Sequence, residues 1–279
     1  MTMHAGIQDP NRARSRSAVR RETTPRYRLR FPPPDPDGEL EQDEAFFFLL
    51  EDGETARIRF HDYGAIYRRP GLYEELFYDR LKCQSPRKVS EVLISVLRDE
   101  GLHSTELRVL DLGAGNGMAG EALVEHGVAR LVGADIEPEA VAALERDRPG
   151  LYDAYHVTDL TDLDEDEEEE LRSWALDCLC CIAALGFGDI PPDAFLTALN
   201  LVADDAWVAF NIKESFLNGA DESGFSRMIR NLILSEHLHL YHLERYRHRL
   251  SMDGVPLHYF AIVARKQGGE IPPEVAGLT

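Results

Sequence analysis

A chain of 279 residues that is 44% hydrophobic has enough apolar material for one large domain with a buried core, and two full domains are not expected. No apolar run approaches the roughly 20 residues that a membrane-crossing helix needs, so no membrane partner is expected. The net charge of −20 is uneven: residues 1 to 30 carry eight arginines against Asp9 and Glu22, a balance of +6, which leaves −26 for the rest. So acidic a body repels phosphate backbones, and nucleic acid is not an expected partner of the folded part.

Residues 1–40 combine arginines, serines and the run "FPPPDPDG" with few core-forming side chains, and read as a disordered tail. Residues 41–105 read as an N-terminal hairpin and helical cap. "EAFFFLLEDGETARIRF" places two apolar-rich runs around Asp52-Gly53, the pattern of a β-hairpin. "YGAIYRRPGLYEELFYDRL" follows, dense in aromatics. Ser85-Pro86 then opens a helix that puts Val89, Val92, Leu93, Val96 and Leu97 on one face, and Gly101 closes it.

From Leu107 short apolar runs alternate with helical ones. "LRVLDL" precedes a helix to about His126, and "RLVGADI" one to about Asp147; "DAYHVTDL" and "ALDCLCCIAAL" come next. Such alternation implies an α/β fold whose largely parallel sheet is covered by helices on both faces, doubly wound. A helix starts at Pro191-Pro192, "AWVAFNI" is a strand, and a helix runs through "GFSRMIRNLILSEH". "LYHLERYRHRL" and "LHYFAIVAR" form a terminal antiparallel pair through Asp253-Gly254. The domain is expected over 106–266, with a C-terminal tail over 267–279.

Cys178, Cys180 and Cys181 cluster in one apolar run, with Cys83 apart, which is no disulfide framework and fits a reducing, cytoplasmic setting. On a strand Cys180 and Cys181 point to opposite faces, so they read as small buried hydrophobes rather than metal ligands. Of His237, His239, His242 and His248, the first two alternate on a probable strand without a carboxylate at obvious ligand spacing, and no metal is expected.

The stretch "RVLDLGAGNGMAGEAL" carries the chemistry. A glycine loop between a strand and a helix N-terminus lets backbone approach a ligand and aims N–H groups at it. Two registers are open. Gly115-x-Gly117-x-x-Gly120 matches the dinucleotide fingerprint, but the glycine that ends the strand is Gly113, which puts Met118 where a third glycine or alanine belongs. Asp111 also sits poorly beside a pyrophosphate and suits a cationic ligand.

"VLDLGAGNGMAG" followed by "LVGADIEPEAV" resembles the first two motifs of the class I S-adenosylmethionine-dependent methyltransferases. The resemblance covers about Leu107 to Arg265 and implies a seven-stranded, mostly parallel sheet of the Rossmann-like methyltransferase fold with an antiparallel final hairpin. It implies that Asp111, Gly113, Ala114, Gly115 and Gly117 hold the methionine and ribose part of S-adenosylmethionine. Asp135 would accept hydrogen bonds from the ribose hydroxyls, with Ile136 against the adenine. Asp159 and Leu160 would border the adenine amino group.

Substrates of parallel α/β sheets approach the carboxyl ends of the strands, so "AALGFGDIPP" and "NIKESF" should border the methyl acceptor. Enzymes that methylate exocyclic amines carry Asn or Asp, Pro, Pro and an aromatic at the first of these exits; Ala183-Ala184-Leu185-Gly186 stands there instead. An apolar wall of Leu185 and Phe187, with Lys213 and Glu214 and the tyrosines Tyr63 and Tyr67 of the preceding segment, suits a small organic acceptor. His61 and Lys213 are the candidate catalytic groups. The expected function is methyl transfer from S-adenosylmethionine to a small molecule. A cofactor-binding regulatory protein without turnover, or an NAD-dependent oxidoreductase, are the alternatives. Oligomeric state is not readable.

Overall fold

The computed structural model describes residues 27–33, 44–185, 189–214 and 224–278. Its strands make two sheets. The smaller is antiparallel, in the order β1 (Arg28–Arg30), β2 (Phe46–Glu51), β3 (Glu54–Arg59). Strand periodicity buries Phe47 and Leu49 of β2, and the linking Asp52-Gly53 turn has φ of +53° and +85°, the paired left-handed geometry of a two-residue hairpin. β1 corrects the expectation of a tail to residue 40. Leu29 pairs with Leu49, and the Arg30 guanidinium lies over the Phe48 ring at 5.0 Å. Three residues of Arg-Leu-Arg have no strand signal of their own; pairing with β2 supplies it. Residues 1–26 and 34–40 of the expected tail lie outside the described residues.

Helix α1 (Tyr63–Tyr67), a π-helical stretch (Glu74–Arg80) and α2 (Ser85–Asp99) follow. As the sequence predicts, α2 buries its Val89, Val92, Leu93, Val96 and Leu97 face. Beyond it β4 (Arg108–Leu112), α3 (Met118–Glu125), β5 (Arg130–Asp135), α4 (Pro138–Asp147), β6 (Ala154–Val157), α5 (Glu165–Ser173) and β7 (Cys178–Cys181) alternate. Then come α6 (Pro192–Leu201), β8 (Trp207–Lys213), α7 (Phe225–Leu234), β9 (Leu238–Leu250), β10 (Pro256–Lys266) and α8 (Pro273–Ala276).

The large sheet has seven strands in the order β6-β5-β4-β7-β8-β10-β9. β6 to β8 run parallel, and β10 is antiparallel to both its neighbours. This is the doubly wound architecture anticipated above. Each central strand buries both faces: Leu110, Leu179, Val208 and Phe210 pack on α6 and α7, while Val109, Cys178, Cys180 and Ala209 pack on α2 and α3. Cys180 and Cys181 face opposite clusters, and all four cysteines are free thiols. The chain leaves β4 toward β5 and β6, then returns to β7 on the other side of β4. That reversal opens a crevice at the carboxyl ends of β4 and β7.

The expected tail over 267–279 is also corrected. Ile271 and Ala276 are fully buried, and the Asn200 side chain accepts from the Ile271 N–H at 2.9 Å and donates to its carbonyl at 3.0 Å. Ile271, Val275, Ala276 and Leu278, scattered over thirteen residues, give no periodic signal; their burial comes from packing on α6 and α7. No helix among the described residues is long and apolar enough to cross a membrane.

Candidate active site

β4 ends at Leu112, and the chain turns at once through Gly113, whose N–H donates to the Ala134 carbonyl of β5 at 2.8 Å. Gly113 has φ +69°, and a Cβ there would stand 2.7 Å from that of Ala184 and 2.8 Å from Ile190, so only glycine lets the β4 and β7 exits close on each other. Gly117, at φ +88°, caps α3 and faces Leu144 and Leu151, away from the crevice. The crevice holds a cavity of about 210 Å³, and Gly113, Ala114, Gly115, Asp135, Ile136, Asp159 and Leu160 all line it. Gly117 and Asp111, expected in the same pocket, lie behind its wall.

Asp135 ends β5 with its carboxylate at the cavity. One oxygen accepts from the Gly115 N–H at 2.8 Å, the other from the Glu137 N–H at 2.9 Å. Burial raises its pKa, and those donors oppose the rise, keeping an acceptor with spare lone pairs. Ile136 beside it is 57% exposed among the described residues, an apolar surface left open. Asp159 is solvated; its Oδ1 accepts from the Thr161 N–H and hydroxyl, which holds its pKa below the ordinary value.

Asp111 is fully buried. Tyr152 donates to its Oδ2 at 2.7 Å, and Oδ1 has no protein partner among the described residues. Burial pushes its pKa up to about 7, with the Tyr152 bond opposing.

A support of the glycine loop was not legible in the sequence. Arg148, at the end of α4 and buried, pairs with Glu74 at 2.9 Å and Glu121 at 3.0 Å and donates to the Asn116 carbonyl of the loop at 3.0 Å. Asn116 in turn donates to Glu74 at 2.9 Å, and the Tyr155 hydroxyl donates to the Gly115 carbonyl at 2.8 Å. These partners are 27 to 74 positions apart in pairs, so no local pattern announces them.

His61, Tyr63, Tyr67 and Tyr73 line the same cavity, with the Tyr67 hydroxyl directly against Gly115 and its ring packed on Ala140 and Ala143 of α4. Tyr63 and Tyr67 stack at 6.1 Å, and Tyr67 meets Tyr73 at 5.1 Å. Burial keeps all three phenols protonated. His61 Nδ1 lies 2.7 Å from Asp189 Oδ2 and 2.9 Å from Oδ1, and the Tyr63 hydroxyl reaches the same carboxylate at 3.4 Å. Asp189, Ile190 and Pro191 line the cavity even as Pro192 begins α6, so the "DIPP" stretch serves as wall and helix start together. The β7 exit is strained: Ala183 has φ +62°, and its N–H is held by the buried Asn211 Oδ1 at 2.6 Å.

A smaller cavity of about 50 Å³ shares His61, Tyr63, Tyr73, Ala183, Ala184 and Asp189 with the larger one and extends it toward Leu185 and Arg249. Lys213 and Glu214 line neither. β8 carries Lys213 into register with Tyr259, and Arg245 engages both Glu214 oxygens at 3.0 to 3.1 Å. The strand runs further than its apolar residues suggest, because pairing with β10 extends it. Phe187 lies outside the described residues. His248 is buried near the small cavity, where burial holds it neutral.

A family model described as a methyltransferase domain matches residues 77–254, more than half of the chain and spanning the glycine loop, Asp135 and Asp189. The chain belongs to this methyltransferase family. No curated protein matches it in sequence. Among solved structures it is similar to magnesium protoporphyrin IX methyltransferase from Synechocystis with bound S-adenosylmethionine, at 16% identity over 65% of this chain and 79% of that one, TM-score 0.44. It is similar also to 1,6-didemethyltoxoflavin-N1-methyltransferase from Burkholderia thailandensis with bound S-adenosylhomocysteine, at 20% identity over 80% and 96%, TM-score 0.43. A third is a ribosomal-protein methylase from Lactobacillus delbrueckii subsp. bulgaricus, at 17% identity over 64% and 77%, TM-score 0.43.

Proposed function

We propose that this methyltransferase moves the methyl group of S-adenosylmethionine to a small organic acceptor whose proton is taken by His61. The observation that carries the reading is one cavity lined by two unlike sets of groups: the glycine loop, Asp135 and Ile136, and the His61–Asp189 pair. The first set fits the cofactor. Asp135 presents acceptor lone pairs for ribose hydroxyls, the loop brings backbone close at Gly113 to Gly115, and Ile136 offers bare apolar surface for the adenine. When bound, the cofactor supplies an electrophilic methyl on a sulfonium.

The chain's own part is to orient and to move a proton. Proximity and alignment supply much of the acceleration of such a displacement. Asp189 holds the His61 ring through Nδ1, and Nε2 is the nitrogen proposed to take up the acceptor's proton. The tyrosines Tyr63, Tyr67 and Tyr73 cover the cavity and exclude water. Lys213 and Glu214 have no part in this arrangement.

The test is turnover. Formation of S-adenosylhomocysteine, followed against a mixture of small phenols, amines and acids, is expected for the wild type, and His61→Gln should lower kcat roughly 10²- to 10⁴-fold with cofactor binding retained. Undiminished turnover in folded His61→Gln would remove His61 from the chemistry.

A further inference from the structure

Arg249 sits near the end of β9, 5% exposed, in the wall of the small cavity that extends the main one. A buried guanidinium remains charged at neutral pH, and a buried charge is costly unless something of opposite sign meets it. Its contacts here are a hydrogen bond from Nη1 to the Leu250 carbonyl at 2.9 Å and the face of Phe60, 5.5 Å below. Among the described residues no carboxylate forms an ion pair with it. Asp189, which shares the cavity, is engaged by His61. Tyr259, Cys83, Tyr63 and Tyr73 are near enough to act on its charge, none of them a carboxylate; burial holds Cys83, Tyr63 and Tyr73 protonated and His248 alongside neutral.

We infer that the methyl acceptor is a carboxylate-bearing small molecule, its carboxylate docked on Arg249 in the small cavity and its nucleophilic atom directed at His61 in the large one. The inference rests on the methyl-transfer reading above and adds the acceptor's chemical class. A planar guanidinium suits a carboxylate, which it can meet through two parallel hydrogen bonds. The anchor lines only the small cavity while the base lines both, so the carboxylate serves as the handle and another group on the same molecule, reaching into the large cavity, receives the methyl. In the step, that group's lone pair forms the new bond to the methyl carbon, the carbon–sulfur bond breaks with its electrons kept by sulfur, and the proton passes to His61. The strongly acidic body gives the arginine a second use, since a local cation is needed to hold an anion against that field.

The test uses the full chain saturated with S-adenosylhomocysteine and titrated calorimetrically with benzoate and phenylacetate, each against its amide. The carboxylates should bind at least tenfold tighter than the amides. Arg249→Met, which keeps a long apolar stem over Phe60, should erase that preference while S-adenosylhomocysteine affinity stays within about twofold of wild type. If Arg249→Met does not fold, Arg249→Lys should show the preference reduced several-fold, because it keeps the charge and loses the fork. Equal binding of acid and amide, binding of neither, or a preference that survives the substitution would each overturn the inference and leave the cofactor reading standing. Failure of S-adenosylhomocysteine to bind the wild type would overturn both.

Discussion

Asp111 on β4 and Asp135 on β5 are both strand-end acids beside one glycine loop, yet the protein treats them differently. Asp135 keeps two backbone donors and an open face; Asp111 has Tyr152 and an oxygen without a protein partner. Folding therefore favours protonated Asp111, whose folded pKa of about 7 lies above its unfolded one. Between those values the unfolded chain has released a proton that the folded chain retains, so raising pH from about 4 to about 7 costs stability, and above 7 the loss is complete. Denaturation across that range should show Asp111→Asn gaining on wild type by up to about 4 kcal/mol and then holding level; parallel curves would contradict it. Asp135→Ala should weaken S-adenosylhomocysteine binding by about 1.5–3 kcal/mol for each ribose hydrogen bond lost, read by calorimetry. Both acids were legible because strand ends next to glycines mark them. His61 was legible as an aromatic neighbour of the tyrosines, whereas its partner Asp189, 128 positions away, was not. Arg249 was invisible for the same reason: an arginine in an alternating strand reads as solvated until the fold buries it.

The elements followed from periodicity wherever one face of each meets the core. α2 and the parallel strands announce themselves, as does the hairpin turn at Asp52-Gly53. What did not announce itself depends on tertiary partners: β1, with a single apolar residue, and α8, four residues long. Ile271→Ala should cost about 2–5 kcal/mol, the range for emptying a buried large aliphatic site, and a free C-terminal tail would lose nothing. Arg148 belongs at this scale because it ties the π-helical stretch to α3 and the glycine loop. Arg148→Ala leaves the Glu74 carboxylate without its buried cation, and a loss of about 3–5 kcal/mol in thermal or denaturant unfolding is expected. It should also weaken cofactor affinity, since the loop loses its tie through Asn116.

At the scale of the molecule, the alternation after Leu107 gave a covered parallel sheet and the resemblance of two motifs to a family gave its seven strands, whereas the order of those strands depends on tertiary pairing and was not legible. The crevice where that order reverses is where the glycine loop, the strand-end acids and the cap's tyrosines meet. Charge acts at this scale too: outside residues 1 to 30 the balance of −26 gives no reason for a phosphate backbone to bind. The central claim, that the crevice is shaped for a sulfonium nucleoside and not for a dinucleotide, turns on which glycine ends the strand. Calorimetry of the purified chain with S-adenosylmethionine, S-adenosylhomocysteine, NAD and NADP decides it most directly. Saturable one-to-one binding of the first two, weakened by Asp135→Ala and absent for both nicotinamide cofactors, is the expected result; tight binding of NAD or NADP with none of S-adenosylmethionine would contradict the account.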